Sequence, residues 1–92
     1  MVIVMVTYEE LPDPDRYERH ADLCRKVPGG EFVHGPVFGS PMGDPAFAYV
    51  GEWRFPDMDT FRAATRTPEF AATGRDAAEM AIAFRVQFCD LS

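Results

Sequence analysis

Asp13-Pro14-Asp15-Arg16-Tyr17-Glu18-Arg19-His20-Ala21-Asp22-Leu23-Cys24-Arg25-Lys26-Val27, closed by Pro28-Gly29, is the stretch whose reading decides the fold. It reads as one amphipathic helix over roughly 14–27. Asp13 offers a side-chain oxygen to the unpaired amides of a first turn, and Pro14 fits the first helical position, where no N–H is needed. Tyr17, His20, Cys24 and Val27 follow steps of three and four and therefore share a face. That face is the apolar one, so it turns inward and carries His20 towards the interior. Pro28-Gly29-Gly30 stops the helix, because proline cannot continue it and glycine accepts a left-handed turn.

Working outward, residues 2–8 are a continuous β-branched run, Val-Ile-Val-Met-Val-Thr-Tyr, expected as a strand buried on both faces and central in its sheet. Residues 31–39 form a second strand. Its Pro36 cannot donate a ladder hydrogen bond, which places it at an edge or a bulge. Ser40 to Pro45 is a turn or loop. Residues 46–55 alternate with period two: Phe47, Tyr49, Trp53 and Phe55 on one face, Ala48, Val50, Glu52 and Arg54 on the other. Asp57 caps a helix through Phe61 and Ala64, and Thr67-Pro68 opens another that runs to about Ala81. A last strand, about 82–89, sets Ile82, Phe84, Val86 and Phe88 against Ala83, Arg85, Gln87 and Cys89.

The order strand, helix, strand, strand, helix, strand is the split βαβ plan. It predicts a single α+β domain over 1–92: a ferredoxin-like, four-stranded antiparallel sheet with helices on one face. The uncovered face then meets water or a second subunit, and its apolar content favours a homodimer through the sheet.

Composition narrows the function. The net charge of −6, with only nine Lys and Arg, argues against nucleic acid and against an anionic membrane surface. The opening apolar run is too short for a signal peptide, and no stretch approaches ~20 apolar residues. Two cysteines make no disulfide framework, so they are expected to be reduced, in a cytoplasmic protein. Two histidines and two distant cysteines in no ligand-like spacing predict no metal.

The helix bearing His20, with Pro28-Gly29 eight positions on, resembles the His-x-Pro-Leu…Leu-Pro-Gly pattern of the ethyl tert-butyl ether degradation (EthD) family. The resemblance continues through Tyr49-Val50-Gly51-Glu52-Trp53-Arg54-Phe55, Asp57 to Ala64 and Thr67-Pro68-Glu69, and covers most of the chain. It implies a dimeric α+β barrel with a pocket for a small apolar molecule between sheet and helices. Relatives in that superfamily include cofactor-independent monooxygenases of aromatic polyketides, polyketide cyclases and lactone isomerases. His20 corresponds to a histidine that is the acid–base residue of the resembling lactone isomerase. There are departures. Asp22 stands where the family often has proline, Gly30 where a leucine follows Pro-Gly, and Trp53 roughly where that isomerase carries a cysteine. Asp22 has a structural alternative, an ion pair with Lys26 at i+4.

His20 is the candidate catalytic residue, because an imidazole exchanges protons near neutral pH. The alternative is a core histidine satisfied by one hydrogen bond. Tyr8, Tyr17, Cys24, Tyr49 and Trp53 are the candidate substrate contacts. Tyrosines would orient a carbonyl or phenol, and Tyr49 and Trp53 would form an aromatic floor, although such rings are core by default. Cys24 on the His20 stripe is either a thiolate nucleophile or a small hydrophobe. His34, beside Gly35 and Pro36, is expected to be partly exposed. The reading is an enzyme without metal or organic cofactor, doing acid–base chemistry (isomerisation, cyclisation or oxygenation) on a hydrophobic cyclic or aromatic carbonyl compound. Two other readings stand beside it: a non-catalytic dimeric module binding a small apolar ligand, and a haem-degrading protein using the same His20.

Overall fold

In the computed structural model, which describes residues 1–92, Val2–Tyr8 (β1) is the second strand in from one edge of a four-stranded sheet. Its β-branched run is buried on both sides, with Val2, Val4, Val6 and Tyr8 towards the helices and Ile3 and Thr7 on the opposite face. The remaining elements are α1 (Pro14–Arg25), β2 (Glu31–Pro36), β3 (Tyr49–Phe55), α2 (Met58–Thr65), α3 (Pro68–Glu79) and β4 (Phe84–Asp90). The strand order is β2-β3-β1-β4 with every pair antiparallel, which is the ferredoxin-like arrangement. Pro36 ends β2 on the outer edge, where its missing N–H leaves no ladder bond unmade.

Three caps read from the sequence are made. Asp13 accepts from the Arg16 amide at 2.9 Å, Asp57 from the Thr60 amide at 2.8 Å and Thr67 from the Phe70 amide at 3.2 Å. Several boundaries differ from expectation, each for a local reason. The first helix ends at Arg25 with Lys26 as its cap, since Pro28 disfavours helical backbone at Val27; Val27 stays buried just past the end. Asp22 therefore pairs with Arg25 at 2.8 Å and not with Lys26, which has left the helix. The last helix stops at Glu79 because Ala81 takes a left-handed φ of 57°, and the final strand starts only at Phe84. The third strand starts at Tyr49, so the alternation does not extend back to Phe47. Phe47 instead lines a hollow on the uncovered face with Met5, Arg85 and Gln87.

One apolar cluster holds the helices to the sheet. Tyr17, Ala21, Cys24 and Val27 on the α1 side and Phe61 and Ala64 of α2 meet Val2, Val4, Val6, Tyr8, Trp53 and Phe55. Burying a Val- to Phe-sized side chain is worth about 1.5–3 kcal/mol. The exposed pairs of Arg25 with Glu18 and Asp22 are worth about 0–1 kcal/mol each, so packing decides the fold. Gly51 lets α1 approach closely: a Cβ there would lie 2.5 Å from Tyr17 Oη and 3.1 Å from Phe32 Cζ. α3 leans on α1 and leaves part of β4 uncovered, so Val86 and Phe88 are 48% and 61% exposed although they face the helix side. That gap opens the site.

Candidate active site

Arg16 and His20 lie one helical turn apart on α1, and both reach the same carboxylate, Asp76 of α3. Arg16 grips it with two nitrogens, Nη2 to Oδ1 at 2.8 Å and Nη1 to Oδ2 at 3.1 Å. His20 Nδ1 meets Oδ2 at 2.8 Å. The Arg16 guanidinium holds Asp76 below the usual carboxylate range, so Asp76 is an anion at neutral pH and can only accept. The proton of a neutral His20 is therefore on Nδ1, donated to Asp76. Burial lowers the His20 pKa from its ordinary 6.5, with the Asp76 charge opposing that shift and the Arg16 charge adding to it. His20, 3% exposed, is neutral at pH 7 with its lone pair on Nε2.

Nε2 has no protein partner, and the molecule has no fully buried polar side-chain atom left unpaired. Nε2 thus reaches open space. His20 lines a cavity of about 140 Å³ between β1, β3, β4 and α3, together with Val4, Tyr8, Trp53, Phe70 and Phe84 among others. The wall is almost wholly apolar. Tyr8 also lines this cavity, and burial pushes the pKa of its hydroxyl up to about 12, so it stays protonated. Its oxygen accepts a long hydrogen bond from Tyr17 at 3.4 Å, and its own proton has no protein acceptor.

The six residues singled out from sequence divide. His20, Tyr8 and Trp53 meet at this cavity. Tyr17 and Tyr49 instead line a surface groove of about 550 Å³ with Leu11, Pro12, Pro14 and Pro36. Tyr17 touches both regions, since its hydroxyl contacts Tyr8 and its ring lies 4.8 Å from that of Tyr49, tilted by 59°. Cys24 lines neither. It is 1% exposed in the core, burial pushes its thiol up to about 12, and its carbonyl accepts from Trp53 Nε1 at 2.9 Å. The thiolate reading therefore finds no support at neutral pH; Cys24 packs and positions Trp53. His34 is partly exposed and bonds Tyr49 Oη through Nδ1 at 2.6 Å. Glu52 and Arg54 pair with each other at 2.7 Å on the uncovered face. No group of three or more His, Cys, Asp or Glu is placed to hold a metal ion.

Asp76 and Arg16 are the site residues that sequence reasoning missed. A signal for Asp76 existed: Phe70, Thr73, Asp76 and Met80 follow helical steps, so the carboxylate borders the inward face of α3.

The site carries a pH signature in stability. An unfolded His20 takes up a proton near 6.5, whereas the folded one resists until lower pH, so the unfolded state binds more protons in that interval. His34, likewise lowered by burial, adds with the same sign. Stability is therefore full above about 6.5 and declines as pH falls below it. A second decline follows below 3.8, as unfolded Asp76 protonates before the folded, Arg16-held one. Urea midpoints at pH 8, 6 and 5 measure the first decline; a flat series would contradict the buried neutral imidazole.

An antiparallel sheet with one helix-covered face, a histidine held by a carboxylate, and an apolar cavity against the sheet define a ferredoxin-like α+β protein with a buried imidazole at the cavity wall. The EthD domain family matches residues 13–82, and the chain belongs to that family. It is similar to an EthD-family protein from Bacillus halodurans at 28% identity, over 100% of this chain and 99% of that one, with a TM-score of 0.80. A dimeric ferredoxin-like protein of unknown function from Jannaschia is similar at 19% identity, over 98% of both chains, with a TM-score of 0.72. A cofactor-independent oxygenase from Streptomyces nogalater shares the fold at 20% identity, over 98% of this chain and 89% of that one, with a TM-score of 0.58. No curated protein matches the chain. No helix is long and apolar enough to cross a membrane.

Proposed function

We propose that this protein is a small-molecule enzyme that moves protons without a metal or organic cofactor. His20 is its base, and a hydrophobic cyclic or aromatic carbonyl compound is its substrate. One arrangement supports the reading: Asp76 lies 2.8 Å from Nδ1 of a buried His20, which favours the neutral imidazole protonated there and leaves Nε2 without a protein partner, and the same His20 lines an apolar cavity. An orienting carboxylate behind an imidazole is how a histidine is kept in the tautomer that can accept a proton.

In the proposed step a proton leaves the carbon next to the substrate carbonyl for Nε2, and the C–H electron pair moves into an enolate. The Tyr8 hydroxyl donates a hydrogen bond to the enolate oxygen, and the apolar wall keeps competing water away. Return of the proton to a different carbon is an isomerisation. Attack of the enolate carbon on a second carbonyl of the same molecule is a cyclisation, and capture by dioxygen is an oxygenation. The likeness in fold to a cofactor-independent oxygenase is in keeping with this chemistry.

The test is proton–deuterium exchange at the α-carbon of neutral ring ketones in D₂O, followed by NMR. The expected result is exchange above the buffer rate. Saturable binding at the cavity with no exchange or turnover would leave the non-catalytic module in its place.

The proposal extends to a homodimer through the uncovered sheet face, where Ile3, Met5 and Val50 lie among polar groups, and to a reducing, cytoplasmic setting that suits two free cysteines. Light scattering is expected to give twice the mass of the chain, and Met5→Asp to shift it towards one copy. A monomer at micromolar concentration would remove the dimer.

A further inference from the structure

We infer that the molecule received by the His20 cavity is uncharged and no larger than a single ring. This rests on that cavity being the substrate site and narrows the class of compound it takes.

Size comes first. The cavity measures about 140 Å³. An apolar protein cavity of about 150 Å³ holds benzene, whereas pockets for larger organic ligands run to roughly 300–1,000 Å³. The space is bounded by side chains that are themselves locked: Val4 is fully buried, and Trp53 is 3% exposed with its indole nitrogen fixed to the Cys24 carbonyl. On the α3 side the wall consists of Phe70 followed by Thr73, Gly74 and Ala77, and the room left for a ligand beyond the Phe70 ring exists because the last three are short. A Cβ at Gly74 would meet no other side chain within 4 Å. Gly74 is exposed at the rim of the cavity, so a larger residue there leaves the packing undisturbed and narrows the opening. The outlet passes the exposed part of β4 at Val86 and Phe88. A second or third fused ring would have to lie out there, on the exposed part of β4.

Charge comes second. No lysine or arginine lines the cavity. The Arg16 guanidinium is held by both oxygens of Asp76, the carboxylate that also meets His20 Nδ1. A ligand carboxylate would enter an apolar space with no cation to pair with and an anion close by, and an unpaired buried charge is strongly disfavoured. A ring ketone, enone or phenol has the dimensions, the neutrality and the one oxygen that the Tyr8 hydroxyl can serve.

Trp53 is the chain's single tryptophan and stands in the cavity wall, so its indole N–H resonance reports occupancy without turnover. The experiment titrates the full chain with 2-cyclohexen-1-one, benzoate and the three-ring ketone anthrone, and follows that resonance. The expected result is a saturable shift with cyclohexenone, binding at least tenfold weaker with benzoate, and no shift with anthrone up to its solubility. Gly74→Leu is expected to weaken the cyclohexenone response at least tenfold, and the milder Gly74→Ala to weaken it less, with the remaining resonances unchanged in dispersion. A saturable, Gly74→Leu-sensitive shift from anthrone or benzoate as strong as that from cyclohexenone would overturn the inference while leaving His20 as a base. No shift from any of the three would overturn it too. Cyclohexenone binding without α-proton exchange would keep the size and charge limits and remove the enzymatic reading instead.

Discussion

His20→Gln is expected to lower α-proton exchange by about 10²–10⁴-fold, the range that a positioned general base supplies, and to leave the fold in place. Glutamine is chosen because its amide can still donate to Asp76 Oδ2, where His20 Nδ1 now lies at 2.8 Å. The carboxylate and Arg16 then keep their arrangement, and the core around Tyr17 and Ala21 loses little volume. What glutamine lacks is a basic nitrogen. The pH profile of the unmodified protein should agree. Burial lowers the His20 pKa, so the acid limb of kcat/KM falls below the ordinary 6.5 and the rate is level across neutral pH. Circular dichroism and light scattering check that the variant keeps its structure. Retention of more than half the exchange rate in His20→Gln, or an acid limb centred well above 6.5, would remove His20 from the reaction.

Local rules carried most of the fold. The caps at Asp13, Asp57 and Thr67 are made within three residues, and the inward stripe of Tyr17, His20 and Cys24 follows from helical spacing alone. Burial of β1 on both faces follows from its β-branched run. The errors fall where a backbone choice depends on one residue: Val27 beside Pro28, Ala81 at positive φ, and Phe47 beyond the true start of β3. The site was less legible. That His20 turns inward is a periodicity statement, but its partner comes from 56 residues away. The contact exists because α3 leans on α1 and not squarely on β4. That same tilt makes the cavity, so neither Asp76 nor the split of Tyr8 from Tyr49 could be read from spacing within one element. The assignment of Cys24 to packing likewise depends on burial, which a helical wheel shows as a direction and not as a depth.

Asp76→Asn is expected to reduce exchange by about as much as losing the base itself, on the order of 10²–10⁴-fold, although no atom that touches substrate changes. The carboxylate of Asp76 accepts only, which forces the His20 proton onto Nδ1. Asparagine can turn its NH₂ towards Nδ1, and the imidazole then carries its proton on Nε2, facing the cavity with nothing to accept a substrate proton. Loss of the anion also removes the charge that stabilises the imidazolium formed in the step, so the acid limb of the pH profile moves further down. Arg16 loses its two-pronged partner, and some stability goes with it, since its side chain and that of Asp76 are only 24% and 17% exposed. A merely structural role would show in the urea midpoint alone. A positioning role shows in three readouts that stability does not produce: a fall in kcat with little change in KM, a lower-pH acid limb, and a ¹⁵N shift pattern in which the protonated nitrogen of His20 changes from Nδ1 to Nε2. Asp76→Glu retains a carboxylate and should recover part of the rate with the original tautomer. If Asp76→Asn exchanges protons at the unmodified rate with its proton still on Nδ1, the carboxylate does not set the tautomer, and the basic Nε2 must owe its lone pair to some other contact.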